Sequence, residues 1–371
     1  MIRVLEIISD TNIGGAGTVL LNYLAHRDSA AFEVAVALPK GSALLERPEL
    51  EGVRIFELNS LRDKSFDTAA IRELRRLIRE FRPDVVHTHG AFSGRIAARR
   101  ERVPAVFTKH SAFAPSAKLT RFPGKSLFAF ITKRYAQRII AVAPVCADGL
   151  IACGIPPERI DVILNGAAAL TAPDNREALR KKYCGHGTFL AGIVARVELY
   201  KGQDVVIRAA QALKSRGRDV ILLIAGEGAY LEDAKALARS LDVEDIVRFT
   251  GFIEDVASLM SVLDVQINAS RVEACSMSLI EGMSLGIPAA SSDAGGNPLL
   301  IRDGINGLLF EDENAEQLAD KLELYMDSQE LRETISQGAI EIYKAEYTGE
   351  RTARETENVY SKCVNETRQE Q

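Results

Sequence analysis

Two acids, Glu273 and Glu281, stand eight positions apart in Arg271-Val-Glu-Ala-Cys-Ser-Met-Ser-Leu-Ile-Glu-Gly-Met-Ser-Leu-Gly-Ile-Pro288, and Asp293-Ala-Gly-Gly296 follows almost at once. The residues before them, Asp264 to Asn268, form a short apolar run that predicts a strand, and Ser276 to Leu285 predicts a helix capped by serine. Glu273 then belongs to the strand-to-helix loop and Glu281 to the helix. At 1.5 Å rise per residue their carboxylates lie roughly 10 Å apart. That is too far to share one metal or one proton, but it suits holding two ends of an elongated ligand. Between them the free amides of Ser276, Met277 and Ser278 at a helix N-terminus offer an anion site. A molecule with hydroxyls at both ends and phosphate in the middle fits this pattern, as a nucleotide sugar does.

Other residues have types suited to the same chemistry. Arg196 and Lys201 flank an expected strand end, and two fixed cations can stabilise the charge that develops on a departing diphosphate without a metal. Gly14, Gly15 and Gly17 follow the first expected strand and precede a helix predicted over Thr18–Ala25, so backbone there can approach a phosphate or a sugar. They do not complete the G-x-G-x-x-G fingerprint, which weighs against a dinucleotide site. His110 follows the strand predicted over Ala105–Lys109, at the edge where open α/β sheets bind ligands. His87 and His89 alternate on another strand and share a face, as metal ligands can, but the sequence offers no evident third ligand.

The elements that must position these residues follow a repeated βα pattern. Apolar runs at Val4–Ile8, Val34–Leu38, Arg54–Leu58, Asp84–Thr88, Ala105–Lys109 and Ile139–Val142 alternate with helical periods, such as Ala69–Glu80 with Ile71, Leu74, Leu77 and Ile78 on one face. After a strand at Val162–Leu164, the turn-rich passage Asn165–Asp174 reads as a domain boundary. The alternation restarts with Phe189–Val194, Val220–Ala225, Val247–Thr250, Val265–Asn268, Ala289–Ser291 and Gly307–Phe310, and from Glu313 onward the chain reads as helical. A length of 371 residues suits two such domains, with boundaries near 1–165 and 170–345. Each is expected to hold a doubly wound, mostly parallel sheet. Fraying is expected at Glu366–Gln371.

The acidic pair, Gly286-Ile-Pro288 and the Asp293-x-Gly-Gly296 turn together resemble the donor-site signature of the family 4 retaining glycosyltransferases. Val194 to Gly202, Ala225-Gly-Glu-Gly228, Val247 to Phe252, Ile13 to Gly17 and Thr108 to Ser111 are similar to the family's other segments, in the same order. The resemblance implies the GT-B fold, with two Rossmann-like domains facing a cleft and a last helix, about 346–371, crossing back to the first domain. It implies that the second domain binds the nucleotide sugar and the first the acceptor. Glu273 would orient the sugar, Arg196 and Lys201 with the amides near Ser278 would hold the diphosphate, and Glu281 would grip the ribose. The base would pack near Arg248 to Phe252, Gly14 to Gly17 would touch the donor, and His110 would face the reacting sugar. His89 is a candidate on the acceptor side. No metal is expected. Three departures stand out: Leu299 where an acid often follows Gly-Gly-x-Pro, Ala168 in the interdomain turn, and Ala195 before the arginine.

Composition narrows the setting. Hydrophobic content of 47% and charge of 26% are those of a soluble globular chain. Five cysteines without paired spacing fit a reduced cytosol, with Cys275 a packing residue. The N-terminus reads as a strand and no run is long enough to span a bilayer. Residues 1–170 hold 24 Lys and Arg against 17 Asp and Glu, while the remainder holds 22 against 34. Residues 91–140 carry eleven basic groups and one acid, and Lys118 to Tyr135 interleaves them with aromatics. Such a stretch is either a solvated helix with its Phe residues inside, or a surface for anionic lipid or a lipid-linked acceptor. Nucleic acid is a poor partner, since no recognition motif accompanies the charge. The expected activity is retaining transfer, from a UDP-sugar by family frequency, to a glycan or lipid-linked acceptor in the cytoplasm or at the inner membrane face. A sugar-nucleotide 2-epimerase of the same architecture and a non-catalytic sugar-nucleotide-binding subunit remain alternatives.

Overall fold

The computed structural model describes residues 1–11, 13–61 and 66–369. Two compact units account for the chain: Met1–Ala167 with Gly349–Gln371, and Ala168–Thr348. The first contains β1 (Ile2–Ile8), β2 (Phe32–Pro39), β3 (Arg54–Leu58), β4 (Val85–His89), β5 (Ala105–Lys109), β6 (Arg138–Ala141) and β7 (Ile160–Val162), and the second β8 (Phe189–Val194), β9 (Val220–Ala225), β10 (Val247–Gly251), β11 (Val265–Asn268), β12 (Ala289–Ser292) and β13 (Gly307–Phe310). The spatial orders are β3-β2-β1-β4-β5-β6-β7 and β10-β9-β8-β11-β12-β13, with every neighbouring pair parallel. Order reverses between β1 and β4 in one sheet and between β8 and β11 in the other. Those reversals open the crevices where doubly wound sheets bind ligands.

Parallel strands covered by helices on both faces should be largely apolar, and most of their residues are, with Glu6, His87 and His89 as exceptions. In β9, Val220, Leu222 and Ile224 enter one core cluster while Ile221, Leu223 and Ala225 enter another. In the first sheet Val4, Ile8, Val34 and Val36 face one layer, and Leu5, Ile7, Ala35 and Ala37 the opposite one. The first layer includes the helix Gly15–His26 and the C-terminal helix Gly349–Gln369, which buries Ala353, Thr356, Tyr360, Cys363 and Val364 at helical spacing. Gly349 is needed where that helix begins, because a Cβ there would meet the His26 ring at 2.5 Å.

Several boundaries differ from the sequence reading. The first helix begins at Gly15, not Thr18, because the Gly14 carbonyl accepts the Thr18 amide at 2.9 Å and opens the first turn. Gly15 and Gly17 are therefore helical residues. The seventh strand is Ile160–Val162 in place of Val162–Leu164. Residues expected to fray remain helical through Gln369, and Glu370 and Gln371 lie outside the described residues.

Candidate functional site

In the second unit the expected site residues gather at the carboxyl ends of the strands around its reversal point. Arg196 and Lys201 follow β8; Glu273 and Ser276 follow β11. Lys201 Nζ donates to Glu273 Oε2 at 2.7 Å, and both side chains are largely covered, at 17% and 12% exposure. Backbone fixes the two loops against each other. The Arg271 amide donates to the Tyr200 carbonyl at 2.9 Å, and Gly202, at φ +74°, sits where a Cβ would come within 1.9 Å of the Ala269 carbonyl oxygen. The Arg271 side chain reinforces the junction with paired bonds to Asp204 at 2.9 and 2.7 Å and another to Glu313.

The glycines of the neighbouring loops have the same purpose. A Cβ on Gly296 would meet the Ala274 carbonyl oxygen at 1.7 Å, and the Gly296 amide donates to the Glu273 carbonyl at 2.9 Å. Gly228 similarly abuts Val197, beside Arg196. These contacts explain why Asp293-x-Gly-Gly296 and Ala225-Gly-Glu-Gly228 accompany the charged residues.

Glu273 is held by three hydrogen bonds. Oε2 also accepts from Ser270 Oγ at 3.3 Å, and Oε1 accepts from the Ala274 amide at 3.2 Å. Such a carboxylate is an oriented hydrogen-bond acceptor, poorly arranged to be a nucleophile. Arg196 is exposed, steadied by donation to the Tyr200 hydroxyl at 2.7 Å, with no carboxylate partner among the described residues. Ser276 caps the helix Met277–Ser284 by accepting from the Leu279 amide, and the first-turn amides remain available to an anion. Glu281 lies on this helix, its carboxylate without a hydrogen-bond partner among the described residues, and burial pushes its pKa up to about 7. Phe252, beyond β10, is 64% exposed. Cys275 is buried.

In the first unit Gly14 leads from β1 into the helix start, with open space at the Cβ positions of Gly14 and Gly15; Gly17 is buried. His110, just beyond β5, is half-buried, but His89 is 5% exposed and has both ring nitrogens engaged. His89 Nδ1 lies 2.9 Å from His110 Nε2, and its Nε2 lies 3.0 Å from Glu6 Oε2. His89, the candidate on the acceptor side, is thus buried between Glu6 and His110. Register and alternation place Glu6, His87, His89 and Thr108 on one sheet face, because Glu6 pairs with His87 and His89 with Thr108. His87 Nδ1 is 3.0 Å from Glu6 Oε2 and 2.6 Å from the Tyr360 hydroxyl, which donates to Glu6 Oε1 at 2.6 Å. His87 Nε2 lies 2.6 Å from the Thr108 hydroxyl.

Glu6 escaped the sequence reading, which took β1 as apolar. An acid between Leu5 and Ile7 of a covered strand demands buried partners, and that was the available signal. Burial opposes its charge, but His87 and His89 outweigh it and hold the carboxyl far below the usual range. Burial, aided by His87, lowers the pKa of His89, and burial with His89, His87 and Lys109 lowers that of His110 further. Glu6, His87 and His89 also bring one ligand atom each within 4.8 Å of one another, so Glu6 is a third candidate ligand that the sequence reading did not find.

The basic stretch resolves into an inward and an outward side. Within the helix Gly124–Tyr135, Ala129 and Phe128 pack on the core while Lys125, Leu127, Phe130, Lys133 and Arg134 are exposed, and Phe122, just before it, is 86% exposed. Among the described residues no helix is long and apolar enough to cross a membrane.

Two family models and several known proteins match this chain. Residues 13–168 match the family described as Glycosyltransferase Family 4, and residues 175–342 match Glycosyl transferases group 1. The alpha-D-kanosaminyltransferase of Streptomyces kanamyceticus is 28% identical over 302 residues, 75% of this chain and 77% of that one. The D-inositol 3-phosphate glycosyltransferase of Actinosynnema mirum is 28% identical over 288 residues, covering 69% and 67%. The crystal structure of Anabaena HepE with UDP and glucose superposes with a TM-score of 0.85 at 21% identity, over 97% of this chain and all of the other.

Proposed function

This chain is a family 4 glycosyltransferase of the GT-B fold, and from that premise we propose that it transfers a glycosyl group from a UDP-sugar to an acceptor hydroxyl with retention of configuration. The observation that carries the proposal is the Lys201–Glu273 pair beside exposed Arg196 and the Ser276-capped helix. Cations and amides suited to a diphosphate there adjoin an oriented acceptor suited to sugar hydroxyls, which supports the reading. Arg196, Lys201 and the amides of Ser276, Met277 and Ser278 hold the diphosphate and stabilise the charge that develops as the glycosidic bond breaks. Because these groups supply the positive partners, the scheme requires no metal. Glu273, fixed by Lys201, Ser270 and Ala274 with acceptor capacity left on Oε1, orients the sugar and forms no covalent intermediate. The departing phosphate oxygen takes the acceptor's proton on the face it leaves, which retains the configuration. Glu281 binds the ribose hydroxyls and Phe252 borders the base. In the first unit, open space at Gly14 and Gly15 supports close approach of a phosphate or sugar to that backbone, and His110 meets a substrate hydroxyl.

The acceptor is a glycan or lipid-linked sugar of the kind used in surface glycan, lipopolysaccharide or glycolipid synthesis. Exposed Phe122, Leu127 and Phe130 among Lys118, Arg121, Lys125, Lys133 and Arg134 support reversible docking on an anionic cytoplasmic membrane face. The test is incubation with a panel of UDP-sugars, with and without saccharide or lipid-linked acceptors, reading products by NMR. Acceptor-dependent UDP release with the donor's anomeric configuration in the product is expected. Inverted product, or an epimerised sugar nucleotide formed without acceptor, would refute the proposal.

A further inference from the structure

In the first unit a hydrogen-bonded chain of polar groups runs from Tyr360 on the C-terminal helix through Glu6 and His89 to His110. The protons along it can be assigned. An ionised carboxylate only accepts hydrogen bonds, so the His89 nitrogen facing Glu6, Nε2, carries a proton. A neutral imidazole has one N–H, so His89 Nδ1 is the acceptor and His110 Nε2 must donate to it. His110 then has its lone pair on Nδ1, which has no hydrogen-bond partner among the described residues. The other branch is consistent. Tyr360 spends its proton on Glu6, His87 Nδ1 donates to Tyr360 and Glu6, and Thr108 donates to His87 Nε2. The branch lies beside a cavity of about 20 Å³ that has room for roughly one water.

We propose that Glu6 and His89 are positioning residues that lock His110 in the Nε2–H tautomer and present its Nδ1 to a substrate hydroxyl. This rests on the proposed role of His110. A carboxylate buried in the sheet thereby sets the hydrogen-bonding polarity of a ring at its edge without placing charge there. Burial, which keeps His89 and His110 neutral, supports the assignment. The competing use of the same side chains makes an opposite prediction. A metal ion on Glu6, His87 and His89 would take the His89 Nε2 lone pair and leave the proton on Nδ1. His110 Nε2 would then accept, and its proton would move to Nδ1.

Long-range nitrogen–proton NMR of histidine-labelled protein reads the tautomers directly, and five histidines keep the spectrum assignable by substitution. The wild type should show His110 protonated at Nε2, and Glu6→Gln should shift His110 toward a mixture. Kinetically, Glu6→Gln should lower kcat about tenfold or more with little change in the donor KM. In a His110→Ala background it should change kcat less than about twofold. Should Glu6→Gln fail to fold, His89→Phe keeps a ring there and breaks the same link. A wild-type His110 protonated at Nδ1, or bound zinc with that tautomer, would overturn the chain itself. A correct tautomer with equal kinetic losses in both backgrounds would overturn the role of His110.

Discussion

The two reversal points belong to similar sheets but are built in opposite ways. The loops after β8 and β11 keep charge near the surface: Arg196 is exposed and Lys201 is paired with Glu273 under partial cover. Behind β1, β4 and β5 the hydrogen-bonded chain starts from the fully buried carboxylate of Glu6, and what reaches the edge is His110, whose pKa burial lowers. Open cations suit a diphosphate, whose charge grows during bond cleavage. A desolvated imidazole with a fixed lone pair suits a hydroxyl. The strand order supplies two crevices, and side chains one layer away decide which chemistry each favours.

The largest effects should come from the charged crevice. Arg196→Ala and Lys201→Ala should each lower kcat by about 10²-fold or more, and weaken free nucleoside much less. The two should differ in stability. Lys201→Ala strands the covered Glu273 carboxylate and should cost about 1–3 kcal/mol, whereas exposed Arg196→Ala should cost almost nothing in thermal unfolding. Near-normal turnover in both would remove the leaving-group role.

Glu281→Gln should weaken UDP and UDP-sugar alike, by about tenfold, whereas Glu273→Gln should spare UDP. Equal effects on UDP in calorimetry would show that the two acids do not hold opposite ends of the ligand.

Glu281 also carries a pH signature. Its folded pKa, about 7, lies above the ordinary 4.5. The folded protein therefore retains a proton that the unfolded chain has lost between those values. The contribution is fully present below about pH 4.5 and is lost as pH rises through 7, amounting by pH 8 to at most about 3 kcal/mol. Glu281→Gln should raise Tm relative to wild type at pH 8 and much less at pH 5. A pH-independent difference would contradict the burial argument.

The smallest steps concern the membrane face. Single neutralisations of Arg121, Lys125, Lys133 or Arg134 should each weaken binding to anionic vesicles about fivefold, roughly 1 kcal/mol apiece, while donor hydrolysis persists. High salt should mimic them, since exposed charges are screened within about 8–10 Å. Wild-type protein that ignores anionic vesicles at low salt would remove the membrane assignment.

Legibility in the sequence followed burial. Strands covered on both faces, such as Phe189–Val194 and Val220–Ala225, have the bounds their apolar runs predict. The edge strand Ile160–Val162 has no fully buried residue, so its pattern was weak and its register was misplaced by two residues. The first helix hid behind glycines of poor helix propensity that have no side-chain cap. Charged site residues were visible because they sit near glycines that let their loops pack. Their pairing was not, since Lys201 and Glu273 lie 72 positions apart and meet only through the reversal of strand order. Glu6 and Tyr360 stand 354 positions apart and were equally hidden, although an acid inside a covered strand signalled a missing partner.

The contrast between the two crevices is tested most directly by measuring UDP affinity and transfer turnover together in Lys201→Ala and His110→Ala. Both variants should lose turnover. UDP affinity should fall at least about tenfold in Lys201→Ala and stay within about twofold in His110→Ala, because only the first removes a partner of the diphosphate. Equal losses of UDP affinity, or full turnover in Lys201→Ala, would contradict the account.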